Sequence, residues 1–337
     1  MTTAIEQALE LSAAPVERES MVLVDGLVKR YPGRPVNAVD GISFAVGRGE
    51  VFGLLGPNGA GKTTTIGAMT TRVRPTEGRV LIAGVDVAAD PVAAKRRFGV
   101  VPQRPNLDRS LTARQNLTFH GAYFGFSKRR REEVADLLLE EFGLTERAND
   151  KTDKFSGGMA QRLLIARALM HEPELVFLDE PGTGLDPQSR LFVHQRVAAL
   201  NERGVTVLIT THDMHEAEKL CGRVAIVDRG KLLAIGTPDE LRLRVPAQSA
   251  LELDVSFPAN GDFDGLLDHL CRLPDVERVE PVEAEERRRL RLYGGDTDLI
   301  PLALDAVQAR RGEVVDLRLA RASLEDVFIH LTGRGLR

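Results

Sequence analysis

No stretch of this sequence approaches the roughly 20 consecutive apolar residues that a membrane-spanning helix needs. The longest apolar runs, such as Leu175 to Leu178 and Val205 to Ile209, have the length of buried strands. The first residues, Met1-Thr2-Thr3-Ala4-Ile5-Glu6-Gln7, lack a basic region followed by an apolar one, so no secretory signal is expected. Cysteine is nearly absent: Cys221 and Cys271 lie far apart without metal-ligand spacing, and reduced thiols of no special role are expected. Excess charge is lacking too. A net charge of −4 carries no polyanion-binding footprint, and no nucleic-acid partner is expected. Together these absences predict a soluble, cytoplasmic protein.

What is present is ordinary globular material, 43% hydrophobic and 28% charged, in 337 residues. At roughly 150 residues per domain this length predicts two domains. Residues 1–20 are rich in Ala, Glu and Ser, have no strand signal, and read as a poorly ordered arm. Over residues 21–245, compact apolar runs at Val51–Leu55, Val80–Ile82, Leu175–Leu178, Val205–Ile209 and Val224–Val227 alternate with helical patterns. That alternation predicts an α/β domain with a largely parallel sheet covered on both faces. Near Pro246 the pattern changes. Strands at Leu251–Phe257, Val276–Val282, Leu290–Tyr293 and Glu313–Leu319 and helices at Asp262–Leu273 and Leu299–Arg310 give the order βαββαβ. Residues 246–337 are therefore expected to form a small ferredoxin-like α+β domain. No long internal repeat is visible.

Gly56-Pro57-Asn58-Gly59-Ala60-Gly61-Lys62-Thr63 follows the strand Val51–Leu55 and precedes a helical stretch predicted over Thr64–Thr71. Glycines at 56, 59 and 61 let the backbone curl until its N–H groups converge on phosphate oxygens, and the following helix N-terminus favours the anion. Lys62 has the reach for β- and γ-phosphates, the Thr63 hydroxyl for Mg²⁺, and Thr64 opens the helix beneath them. Leu175-Val176-Phe177-Leu178-Asp179-Glu180 is a buried strand ending in two carboxylates. Asp179 is placed to hold Mg²⁺ or its waters, and Glu180 to act as general base toward an attacking water. Solvated acids capping a strand would look the same in isolation, but beside the Gly-rich loop they predict a nucleoside-triphosphate site.

Phe155-Ser156-Gly157-Gly158-Met159-Ala160-Gln161-Arg162 narrows the field. It resembles the signature LSGGQ of the ABC ATPases, with Phe155 for Leu and Met159 for Gln, and lies just upstream of the Asp179–Glu180 strand as that family requires. The resemblance implies a P-loop ABC ATPase fold with a helical subdomain. It also implies that Ser156, Gly157 and Gly158 of one copy clamp an ATP held by the Gly-rich loop of another, giving a homodimer with two composite sites. By the same resemblance Gln103, in Val101-Pro102-Gln103, senses Mg²⁺ and the attacking water and faces a transmembrane permease. Asp186, in Gly184-Leu185-Asp186-Pro187, communicates across the dimer, His212 contacts the γ-phosphate, and Tyr31 stacks on adenine. One departure stands out: the family often has Thr after the proline, whereas Pro181 is followed by Gly182 and then Thr183, and Gly182 is expected to loosen the segment leading into Asp186.

The ending Arg321-Ala322-Ser323-Leu324-Glu325-Asp326-Val327-Phe328-Ile329-His330-Leu331-Thr332-Gly333 resembles that of daunorubicin-resistance export ATPases. This implies an exporter of drugs or secondary metabolites, held at the inner face of the membrane by a separate permease. Leu324, Val327, Phe328 and Leu331 share a helical face, which suits a packing helix or a partner-binding one. The charged runs Lys128–Glu133 and Glu285–Arg291 mix both signs and read as solvated surface. A non-transport ABC ATPase serving ribosomes or DNA remains the alternative, although tandem nucleotide domains and long coiled insertions are not apparent. A regulatory module without turnover would be expected to lack Glu180.

Overall fold

The computed structural model describes residues 20–245, 249–258, 262–274, 276–282, 288–294 and 299–333; the arm expected over 1–20, apart from Ser20, lies outside them. The chain divides into two compact units between Thr237 and Pro238.

Among the described residues the first unit contains ten strands: β1 Ser20–Lys29, β2 Val39–Gly47, β3 Val51–Leu55, β4 Glu77–Ile82, β5 Val85–Asp86, β6 Phe98–Val101, β7 Leu175–Asp179, β8 Thr206–Thr211, β9 Arg223–Asp228 and β10 Lys231–Gly236. Its helices are α1 Lys62–Met69, α2 Pro91–Lys95, α3 Ala113–Tyr123, α4 Lys128–Glu141, α5 Gly157–Leu169, α6 Pro187–Glu202 and α7 Met214–Leu220. A six-stranded sheet runs β10-β9-β3-β8-β7-β6 and is parallel except at the β9–β10 hairpin. Strands β3 and β7 are buried at every position, which is why their sequences are continuous apolar runs rather than alternating ones.

A second, antiparallel sheet of order β2-β1-β4-β5 accompanies it. Of these strands, sequence patterning singles out β4 alone. Its neighbour β1 breaks register against both partners around Asp25 and Gly26, so the period-2 signal is interrupted where it would otherwise be read. The two sheets share one core, in which Phe44 of β2 stacks on Phe52 of β3 with centroids 5.4 Å apart. Helices α3, α4 and α5 pack together as a helical layer. The Lys128–Glu133 run forms the exposed start of α4, where Arg129 pairs with Glu133 at 2.8 Å along the helix.

The second unit contains β11 Ser249–Ser256, β12 Val276–Val282, β13 Arg288–Gly294 and β14 Glu313–Arg321, with helices α8 Pro238–Arg242, α9 Phe263–Leu270, α10 Leu299–Ala309 and α11 Leu324–Thr332. Its sheet runs β12-β13-β11-β14, antiparallel throughout. One face buries Leu251, Leu253, Val255, Leu290 and Leu292 with Leu266, Leu270 and Val307 of the helices. Residues of opposite parity form cross-strand ion pairs, including Arg289 Nη2 to Asp254 Oδ2 at 2.9 Å and Arg291 Nε to Glu252 Oε1 at 2.9 Å. Leu324, Val327 and Phe328 are buried, and α11 packs with α8, so the last helix serves packing within its own unit. No helix among the described residues is long and apolar enough to cross a membrane.

Candidate functional site

The Gly-rich loop is shaped by close approach of neighbouring backbone. A Cβ at Gly56 would lie 2.2 Å from Val227 O. Gly61, at φ 105°, caps α1, and a Cβ there would meet Ala38 O at 2.6 Å. Ala60 is buried and its carbonyl accepts the Gly230 N–H at 2.9 Å, whereas Asn58 and Gly59 are exposed beside Pro57 on the loop. α1 begins at Lys62, two residues earlier than the sequence pattern suggests, because Gly61 itself is the cap. The N–H groups of its first turn, from Lys62, Thr63 and Thr64, lack intrahelical acceptors, which is the arrangement a helix N-terminus presents to an anion.

Lys62 is 4% exposed, and its Nζ donates to Gly56 O at 2.7 Å and Pro57 O at 3.1 Å. Burial pulls its pKa down, while Glu180, whose Oε1 lies 3.6 Å away, pulls it back up. The ammonium is thus held by carbonyls that an anion in the loop can replace.

Asp179 closes β7, and its Oδ1 accepts from Thr210 Oγ1 at 2.6 Å. Burial pushes its carboxyl pKa up, the Thr210 hydrogen bond opposing. Glu180 has φ 49°, a costly left-handed conformation for a non-glycine residue. Its N–H donates to Thr210 O at 3.0 Å and to Thr210 Oγ1 at 3.1 Å, holding the backbone there. The side chain turns inward: Oε2 accepts from Gln103 Nε2 at 3.0 Å and Thr183 Oγ1 at 3.3 Å, and lies 3.4 Å from His212 Nδ1. One buried carboxylate therefore joins Lys62, Gln103, Thr183 and His212.

Thr63, Gln103 and Asp179 line a cleft of about 840 Å³ that runs on to His120, Phe124 and His171. Burial, with Arg167 nearby, pushes the His120 pKa down to about 4, so that end of the cleft carries a neutral imidazole. Among the described residues no group of three or more His, Cys, Asp or Glu could hold a metal ion. The hydroxyl, amide and carboxylate oxygens of Thr63, Gln103 and Asp179 fit a hard cation that keeps waters and shares phosphate oxygens, which is how Mg²⁺ binds.

The remaining expected residues lie elsewhere. Ser156 caps α5 by accepting the Met159 N–H at 3.2 Å, and Ser156 and Gly157 are exposed while Gly158 is buried against Ser189. Asp186 is exposed and caps α6, accepting from Ser189 N at 2.9 Å. Tyr31 is 38% exposed in the loop that returns at Ala38 to the Gly-rich turn, with Lys29 Nζ 5.2 Å above its ring. None of these side chains is hydrogen-bonded to the Glu180 cluster.

The expectation that Gly182 loosens its segment meets a different arrangement. Gly182 is buried, and a Cβ there would lie 2.6 Å from Glu216 Oε1, the atom 3.2 Å from His194 Nε2. Gln161 Nε2 also donates to Pro181 O at 3.1 Å, so the segment is pinned from both sides. Thr210, Thr183, Gln161, Glu216 and His194 were given no role from the sequence, although Gln161 lies in the signature segment, Thr183 follows Gly182 and Thr210 stands two residues before His212.

Comparison with known proteins places the chain among relatives. A family profile described as "ABC transporter" matches residues 39–183. The linearmycin resistance ATP-binding protein LnrL of Bacillus subtilis (strain 168) is 39% identical, over 94% of this chain and 100% of its own length. The daunorubicin resistance ATP-binding protein DrrA2 of Streptomyces coeruleorubidus is also 39% identical, over 93% of this chain and 95% of its own length. A Nod factor export ATP-binding protein I of Mesorhizobium japonicum (strain LMG 29417 / CECT 9101 / MAFF 303099) is 41% identical, over 94% of this chain and 88% of its own length. Among solved structures, a dimeric post-hydrolysis ATP-binding cassette, MJ0796, bound to ADP and phosphate, covers 64% of this chain and 98% of its own at 28% identity and TM-score 0.60. With these likenesses over a P-loop α/β unit, the chain belongs to the ABC transporter ATP-binding proteins of the daunorubicin-resistance type, the ATP-hydrolysing subunits of transporters.

Proposed function

We propose that this chain drives a separate membrane permease that exports a drug or secondary metabolite, as the names of its relatives suggest for them. The observation that carries the reading is the convergence of Lys62, Gln103 and His212, spread over 150 residues of sequence, on the Glu180 carboxylate, next in the chain to Asp179, which with Gln103 lines the cleft. In this proposal residues 21–245 are the nucleotide-binding domain and 246–337 an accessory domain. The βαββαβ order and the antiparallel order β12-β13-β11-β14 support a ferredoxin-like assignment for the latter.

Lys62 leaves the carbonyls of Gly56 and Pro57 for β- and γ-phosphate oxygens, and the loop N–H groups from Gly59 to Thr64 take the rest. Tyr31 stacks on the adenine. Thr63, Gln103 and Asp179 would hold Mg²⁺, which would supply neutralisation of the negative charge on the triphosphate. Glu180 accepts a proton from the water that attacks the γ-phosphorus, while His212 holds a γ-phosphate oxygen and Gln103 orients the water. Ser156, Gly157 and Gly158 of a second copy close each site, and Asp186 lies at the joint between copies. The exposure of Ser156, Gly157 and Asp186 supports that role. The protein is then a homodimer at the inner face of the membrane, held there by its permease.

The test is affinity purification from gently solubilised membranes with ATP, in wild type and Glu180→Gln. A polytopic permease retained by the chain, more firmly in the variant, is the expected result. Ribosomes or DNA in its place, or no membrane partner with ATP trapped, would overturn the exporter reading.

A further inference from the structure

Strand β14 ends its sheet, and among the described residues no strand pairs with its outer side. Val315 and Leu319 on it are 44% and 57% exposed despite being large and apolar. Between them Asp316 and Arg318 pair along the strand itself, Oδ2 to Nη2 at 2.7 Å. The Leu317 N–H donates to Asp316 Oδ1 at 2.9 Å. Both contacts are local substitutes for what a neighbouring strand would offer: an acceptor for an edge N–H and an opposite charge across the gap.

The segment Val315-Asp316-Leu317-Arg318-Leu319 is complementary to its own reverse. A two-fold axis at Leu317 places Val315 opposite Leu319, Asp316 opposite Arg318, and Leu317 opposite itself. Moving the axis one residue either way sets Asp316 against Asp316 or Arg318 against Arg318, and like charges directly opposite are destabilising. The register irregularity between β14 and β11, at Val314–Asp316, marks one end of the pairing window. We infer that the β14 edge pairs antiparallel with β14 of a second copy, joining two C-terminal units into one continuous sheet without nucleotide. This contact is separate from any closure around ATP, and the carboxylate of Asp316 exchanges its own Arg318 for the partner copy's.

The test uses the full chain without nucleotide, with exposed Cys271 replaced by Ser. Leu317→Cys puts two thiols on the axis, with Cα atoms about 5 Å apart, and is expected to give a disulfide-linked dimer on mild oxidation. Val315→Cys, four residues out of register with its own copy and thus about 13 Å from it, is expected not to. In sedimentation, Asp316→Arg and Arg318→Asp each weaken dimerisation by roughly tenfold, and mixing the two variants restores it as a heterodimer. A purely intrastrand role would leave the mixture as weak as its components. Absence of the Leu317→Cys dimer, equal cross-linking at position 315, or no recovery on mixing would each overturn the pairing. ATP binding, measured on the same variants, is expected to be unchanged, which keeps this result apart from the nucleotide-site reading.

Discussion

Glu180 has a φ of 49° and is held there by two hydrogen bonds from its N–H to Thr210, so its side chain meets Gln103 and His212 rather than solvent. Glu180→Gln keeps the shape but removes the proton acceptor. Phosphate release is expected to fall by about 100- to 10,000-fold, with ATP binding by equilibrium dialysis retained. Asp179 behaves differently, because burial has raised its pKa. A carboxyl whose folded pKa exceeds its unfolded value takes up a proton on folding, so its contribution to stability falls as pH rises through that interval and stays unfavourable at neutral pH. Asp179→Asn retains an acceptor for Thr210 and removes that cost. The nucleotide-free variant is expected to melt higher than wild type at pH 7, with the gap narrowing as pH falls toward 4, while Mg²⁺-dependent hydrolysis is lost. The glycine-lysine spacing of the phosphate loop was legible because it is local, whereas the Thr210–Asp179 bond spans 31 residues and leaves no sequence pattern.

Among the elements, those buried on both faces were the easiest to read, since β3 and β7 are uninterrupted apolar runs flanked by loops. The antiparallel sheet was harder, because β1 changes register near Gly26 and its inward residues lose their even spacing. The last helix was legible as an apolar face, but its anchoring was not. Asp326 is 4% exposed, accepts Tyr293 Oη at 2.6 Å, Ser323 N at 2.7 Å and Ser323 Oγ at 2.8 Å, and thereby ties the start of α11 to β13. Asp326→Ala leaves these donors without their acceptor and is expected to destabilise the C-terminal unit by about 3 kcal/mol. Denaturant unfolding followed by a probe within that unit checks this; unchanged stability would mean water replaces the carboxylate at little cost.

At the scale of the whole molecule there are two units with separate hydrophobic cores, one shared by the two sheets around Phe44 and Phe52 and one beneath the sheet of the C-terminal unit. Calorimetry is expected to resolve two transitions. Mg·ATP at 100 times its dissociation constant should stabilise the one belonging to the first unit by about 2.7 kcal/mol and leave the other in place. A single transition moved as a whole would mean that the units unfold together. The sequence by itself determined the phosphate loop, the carboxylate pair, the family, the buried strands β3 and β7 and the βαββαβ order of the second unit. Each of these is written in short segments whose spacing or apolar run reflects local backbone geometry. Only the tertiary structure decided that Glu180 joins Lys62, Gln103, Thr183 and His212, that Gly182 packs against Glu216, and that β14 is left at an edge of its sheet. Those facts depend on which distant surfaces exclude water together, and that is a property of the packed chain rather than of any segment within it.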